Sequence, residues 1–180
     1  MARAEASGLR PRFSVADCRQ VPYRDNTFDA IYSMGTIEHF NESDAAVREM
    51  WRVLKPGGRA IVGVPNRHDP FLRPLLVTTL YRLGLYPYGY EKSYSRKRLR
   101  QMLEASGFVV AGDDAILFIP GWLRMLDLLC HTRYPSAAGL TAAGVRVFCW
   151  IDAHVPAVRR YGYLVAAIGE RPSEATRNAR

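Results

Sequence analysis

The chain has 180 residues, a length that suits a single domain able to bury its own core without disulfide or metal staples. Hydrophobic residues make up 48% and charged residues 23%, which excludes a disordered, collagen-like or coiled-coil chain. The formal net charge is +8, but the positive residues are spread along the chain, so no nucleic-acid partner is expected.

Cys18, Cys130 and Cys149 are odd in number and form no CxxC clamp, and the four histidines lack metal-ligand spacing. A disulfide framework and a metal site are therefore not expected, and a reducing, cytoplasmic setting is the default. Residues 1–12 contain arginines and no apolar run, so no signal peptide is expected. Two greasy stretches, 71–90 and 116–130, are broken by Arg73, Arg82, Pro120, Arg124 and Asp127. Neither offers the ~20 apolar residues of a membrane span, although interfacial contact stays open.

Phe13–Ala16 is a short apolar run ending at Asp17 and predicts a strand, and Phe28–Ser33 predicts a second. Asn41 and Ser43 are candidate N-caps for a helix in which Val47, Met50, Trp51 and Leu54 recur on one face. Lys55-Pro56-Gly57-Gly58 is expected to stop that helix, and Arg59–Val64 to follow as a strand closed by Pro65-Asn66. Ser95 caps a second amphipathic helix with Leu99, Met102 and Leu103 as its stripe and Gly107 as its stop. Phe108–Ala111 and Ala115–Ile119 read as strand, interrupted at Gly112-Asp113-Asp114. Two apolar helical pieces flank the loop Tyr134–Gly139, and Tyr161–Gly169 is a final strand. This alternation predicts an α/β sheet with helices on both faces, whose ligands bind beyond the carboxyl ends of the strands. That rule points to 17–19, 33–39 and 64–67.

The segments FDAIYSMGTIEHF and AVREMWRVLKPGGRAIVGVPN, with YSRKRLRQMLEASGF and YLVAAIGERP later, resemble class I S-adenosylmethionine-dependent methyltransferases of the type 11 group. The resemblance implies a Rossmann-like sheet, mostly parallel with the last strand antiparallel, in a single domain over residues 1–172. It also implies a helical, lid-like insertion at 120–160 and a polar tail at 173–180. It implies S-adenosylmethionine as cofactor and a small-molecule acceptor, which the apolar segments 70–90 and 120–160 would cover. Asp17 would accept from the adenine amino group, and the backbone of Cys18 would meet the adenine edge. Ser33, Met34 and Gly35 would line the methionine end, and His39 would face the cleft as a general base. Tyr88, Tyr90 and Tyr94 are aromatic candidates near a sulfonium, with packing the competing role. Asp17 read alone is also a turn aspartate, His39 a structural histidine, Glu38 a solvated or capping carboxylate, and Trp51 a core residue.

The family's glycine-rich loop, acidic-x-G-x-G-x-G after its first strand, has no counterpart here, since Gly57-Gly58 precedes a strand. The resemblance therefore implies a sheet lacking the first two family strands, an exposed edge open to a partner chain, and weak cofactor binding by the isolated chain. Two other readings stand beside the enzyme: a non-catalytic, methyltransferase-like interaction module, and a nucleic-acid binder favoured by charge alone.

Overall fold

In a computed structural model, residues 12–86 and 89–173 are described. Residues 1–11, Tyr88 and the tail beyond Ser173 lie outside them. The elements run β1 (Phe28–Met34), α1 (Ser43–Val53), β2 (Leu54–Pro65), α2 (Arg73–Arg82), α3 (Arg96–Ala105), β3 (Val109–Ile116), α4 (Gly121–Arg133), α5 (Ala138–His154) and β4 (Leu164–Glu170). The sheet order is β1-β2-β4-β3. β1 runs parallel to β2, and β4 is antiparallel to both β2 and β3. Three strands thus share one direction and the last is reversed, the mixed α/β arrangement the motifs implied.

The core lies between the sheet and α1 with α3. Period-2 alternation sends Ala60, Val62 and Val64 of β2, with Val165 and Ala167 of β4, into this layer. They meet Ala46, Val47 and Met50 of α1 and Leu99, Met102 and Leu103 of α3, each set one stripe at helical spacing. Each large side chain among them contributes about 1.5–3 kcal/mol. Ser95 caps α3 as its sequence predicts, its Oγ accepting from the Arg98 N–H at 3.2 Å. Gly107 ends the turn after α3 at φ +98°. On the opposite face Tyr32, Ile61 and Ile168 stand in one cross-strand row, and all three are exposed.

Several expectations are corrected. Phe13–Ala16 forms no strand: the segment is irregular and exposed, and Val15 has no neighbour covering it. Neither Asn41 nor Ser43 caps α1. The N-cap position is Glu42, and the Ser43 hydroxyl instead donates to the Phe40 carbonyl and pairs with the Tyr94 hydroxyl at 2.6 Å. α1 ends at Val53, so Leu54 already belongs to β2, and the Lys-Pro-Gly-Gly segment is an excursion inside that strand. The pairing jumps from Phe28↔Leu54 to Ala30↔Arg59 across it. Gly57 sits at φ +80° there, and a Cβ on Gly58 would lie 2.8 Å from the Asp29 carbonyl oxygen. Gly112-Asp113-Asp114 does not break β3. The strand is continuous, with a bulge between Val110 and Gly112, because β4 pairs along its length.

Candidate functional site

Because β1 and β2 are parallel and adjacent, their carboxyl ends share one edge of the sheet. Ser33, Met34 and Gly35 close β1 there, and Pro65-Asn66 closes β2. Ser33 is buried and Met34 half-buried. Met34 lies over Gly63, where a Cβ would fall 2.1 Å from its sulfur, so the glycine makes room for that side chain. Gly35 adopts φ +69° and its N–H donates to the Gly63 carbonyl at 3.0 Å. The chain then enters a single 3-10 turn, Ile37–His39.

That turn sends two adjacent polar side chains to different places. Glu38 is buried to 2% exposure, its Oε2 has no hydrogen-bond partner among the described residues, and burial pushes its carboxyl above the ordinary range. This corrects the solvated or capping role read from the sequence. His39 is half-buried, and its Nδ1 lies 2.9 Å from the Tyr90 carbonyl oxygen. A carbonyl only accepts, so in the neutral ring Nδ1 carries the proton and Nε2 keeps its lone pair.

Asp17 does not end a strand; it opens a tight turn bridged to Gln20. Its carboxylate accepts from the Arg19 backbone N–H at 2.9 Å, from Nε at 3.0 Å and from Nη2 at 2.7 Å. Hydrogen bonds from the Arg19 side chain hold its pKa down at about 2. Arg19 also reaches Glu42 at 2.7 Å and lies 5.1 Å over the Phe40 ring. The Asp17 turn is thereby tied to the segment that leaves the 37–39 turn. Cys18 is half-buried against the core, and burial raises its thiol pKa. Of the tyrosine candidates, Tyr94 is buried and bonded to Ser43, which is a packing role, while Tyr90 is exposed with its ring against Tyr81. Trp51 packs on the core with the Arg171 guanidinium 3.8 Å over its ring.

The sequence reading missed a buried polar cluster at the same end of the sheet. Arg73, at the start of α2, pairs with Glu91, and the two side chains are 9% and 5% exposed. Tyr86 donates to the other Glu91 oxygen at 2.6 Å, and the Arg73 guanidinium lies 4.5 Å over the Tyr163 ring. Arg73 Nη1 and Asp69 Oδ2 have no hydrogen-bond partner among the described residues. Asn66 is a second omission. Its amide donates to the carbonyls of Gly162 and Arg160, and its Oδ1 accepts from the His68 N–H, clamping the end of β2 to the entry of β4. The one sequence signal for it was the Pro-Asn pair closing β2; ion pairs such as Arg73–Glu91 leave no local pattern.

Toward S-adenosylmethionine these residues offer one acceptor and one bare stretch of backbone, with both Asp17 oxygens already held by Arg19. Asp17 is ionised and acceptor-only, as an adenine amino donor requires. Gly35 offers bare backbone, the space beside it limited by Glu38 Oε1 at 3.5 Å from a Cβ position. Among the described residues no group of His, Cys, Asp and Glu is arranged to hold a metal ion.

A family model described as a methyltransferase domain matches residues 1–62. Phosphoethanolamine N-methyltransferase 3 of Arabidopsis thaliana is 34% identical over 117 residues, covering 64% of this chain and 23% of that protein. Demethylmenaquinone methyltransferase of Thermus thermophilus is 32% identical over 124 residues, covering 60% of this chain and 56% of the relative. The chain thus spans about a quarter of the length of the plant enzymes and about half of the bacterial one. Among solved structures, the [4+2]-cyclase SpnF superposes with a TM-score of 0.56 at 27% identity, over 96% of this chain and 60% of that one. Phosphoethanolamine N-methyltransferase 2 of Haemonchus contortus, in complex with phosphomonomethylethanolamine and S-adenosylhomocysteine, shares the fold with a TM-score of 0.54 at 14% identity, over 88% of this chain and 37% of that one. Over residues 1–62 the chain matches the methyltransferase-domain family model, and over its motifs and sheet it is similar to class I S-adenosylmethionine-dependent methyltransferases.

Proposed function

We propose that residues 1–172 act as one domain that takes part in methyl transfer from S-adenosylmethionine to a small-molecule acceptor. The observation that supports this most directly is His39. It stands just past the carboxyl end of β1, with Nδ1–H held by Tyr90 and Nε2 left as a base. In this reading Asp17 and Cys18 hold the adenine, and Ser33, Met34 and Gly35 line the methionine end. The cofactor supplies a methyl group on a sulfonium, which needs no further activation. The protein's work is then to position the acceptor, exclude water and remove a proton. His39 Nε2 takes that proton from the nucleophilic N–H or O–H, and the Tyr90 carbonyl stabilises the resulting imidazolium through Nδ1–H. Acceptors of the phosphoethanolamine and demethylmenaquinone kinds are the candidates the relatives suggest. The compartment is cytoplasmic, and a partner chain adds a strand at the free edge of β1, which pairs with β2 alone among the named strands.

A second reading, a fold kept without methyl transfer, is favoured by two observations. Arg19 already occupies the Asp17 carboxylate, and the neighbour at 27% identity is a cyclase by its printed name. Transfer of a labelled methyl group from S-adenosylmethionine to phosphoethanolamine and to a demethylmenaquinone separates the two. Product that disappears in Asp17→Asn and in His39→Asn supports the enzyme. Absence of product from a folded chain with every acceptor supports the alternative. Titration with S-adenosylhomocysteine should show only millimolar affinity, because no acidic-x-G-x-G-x-G segment occurs in the sequence; micromolar binding would overturn that expectation.

A further inference from the structure

Helices α2, α4 and α5 carry several exposed apolar side chains. On α4, Trp122, Leu126 and Leu129 recur at i, i+4 and i+7, and all three are exposed, while Leu123 and Cys130 face inward. On α5, Leu140, Val147 and Trp150 form a second exposed stripe at i, i+7 and i+10, with Leu140 83% exposed and both tryptophans 59%. Arg146 joins Ala143, Val147 and Trp150 around a shallow depression on the same helix. α2 adds exposed Leu75, Leu76 and Tyr81. α4 packs against α5, and the rings of Phe71 before α2, Phe118 before α4 and Phe148 on α5 cluster with centroids 5.4–6.2 Å apart. Exposed apolar stripes on two helices that pack together point to a contact surface.

The charges around it name the partner. Every exposed charged side chain described on α2, α4 and α5 is basic: Arg82, Arg124, Arg133 and Arg146, with His131 and His154 beside them. The two acids of α4 and α5, Asp127 and Asp152, are half-buried. A second copy meeting this surface through a two-fold contact would set arginine against arginine. An anionic bilayer offers the opposite charge and an apolar layer beneath it. α4 and α5 have 13 and 17 residues, and no described helix is long and apolar enough to cross a membrane. They suit lying in the interface, with leucines and indole rings at the acyl boundary and guanidinium groups at the phosphates.

We propose that α4 and α5, with the outer side of α2, dock this protein onto an anionic phospholipid surface. The proposal is independent of the methyl-transfer reading. The test is co-sedimentation of the full chain with vesicles of phosphatidylcholine containing about one third phosphatidylglycerol, in about 0.1 M salt. Binding is expected there, at least tenfold weaker on pure phosphatidylcholine, with a blue shift of tryptophan emission that Trp122→Ser and Trp150→Ser each reduce. Leu126→Gln with Val147→Gln should weaken binding about tenfold or more, and Arg133→Gln or Arg146→Gln about fivefold each. Tyr32→Gln, on the bare sheet face, should leave it unchanged, and circular dichroism checks that each variant folds. No binding to the anionic vesicles would overturn the proposal. So would a concentration-dependent dimer in sedimentation equilibrium that Leu126→Gln dissolves, or equal binding by the parent and the Leu126–Val147 variant.

Discussion

Replacing Arg73 by Met should be among the most damaging single changes in this chain. The Arg73 and Glu91 side chains are 9% and 5% exposed, so neither charge is solvated by water. Arg73→Met preserves much of the volume beside Tyr163 but leaves the Glu91 carboxylate buried with one neutral donor, the Tyr86 hydroxyl. Breaking one partner of a buried pair costs about 3–5 kcal/mol, because the remaining charge is uncompensated. For a chain of this size that corresponds to a fall in Tm of about 10 °C. The companion variant Arg73→Met with Glu91→Leu removes both charges and should recover to within about 1 kcal/mol of the parent. Urea unfolding followed by circular dichroism measures all three, with Glu91→Leu closing the cycle. The deficit of the single variant should shrink in acid, where the abandoned carboxylate takes up a proton. A single variant within about 1 kcal/mol of the parent, or a double variant no better than the single one, would refute the burial argument.

His39→Asn keeps a donor near the Tyr90 carbonyl but removes the basic nitrogen. Methyl transfer to an acceptor that must lose its proton in the step should therefore fall about 10²–10⁴-fold in kcat with little change in Tm, and an unchanged rate would remove His39 from catalysis. For Glu38, burial raises the carboxyl pKa above its ordinary value of 4.5, so the folded state keeps a proton that the unfolded chain releases. The parent's stability must then fall as pH rises from about 4.5 through the folded-state value. Glu38→Gln should abolish that fall and gain on the parent at pH 7 relative to pH 4 in paired denaturant melts; identical pH slopes would contradict it. Gly162→Ala would place a Cβ 2.4 Å from the Ile116 carbonyl oxygen, a backbone atom with little room to move. It should lose about 1–3 kcal/mol by thermal melting, and a neutral result would mean that the β3–β4 connection yields.

What was legible in the sequence is what local chemistry determines. α3 was readable entire, because Ser95, the Leu99–Met102–Leu103 stripe and Gly107 mark its start, face and stop independently of the rest of the chain. β1 and the second half of β2 were readable for the same reason. Phe13–Ala16 has a strand-like composition, but a strand exists only through a neighbour, and its backbone pairs with no strand of the sheet. The opposite error occurred at Gly112-Asp113-Asp114, where turn-like residues are carried through as strand because β4 supplies partners from Leu164 to Glu170. Lys-Pro-Gly-Gly was recognised as a turn but assigned to the wrong element, since its position inside β2 depends on register with β1. The site was legible as positions, while its electrostatics were not. Arg73 and Glu91 are 18 residues apart, and nothing in a one-dimensional pattern shows that they share a buried contact.

Glu38 and His39 show why burial has to be known before roles can be assigned. A 3-10 turn has three residues per turn, so neighbouring side chains point about 120° apart. Ile37 and Glu38 are buried, and His39 is half-buried with its Nδ1 beside the Tyr90 carbonyl. Desolvation favours the neutral form of Glu38. An ionised Glu38 next door would stabilise the imidazolium and make His39 a stronger proton acceptor. The same adjacency that reads in sequence as an acid–base pair is therefore, in the fold, one buried carboxyl and one half-buried imidazole. Glu38→Gln should then leave the pH profile of methyl transfer close to the parent's, whereas an ionised Glu38 acting on His39 would make that substitution shift the acidic limb to lower pH.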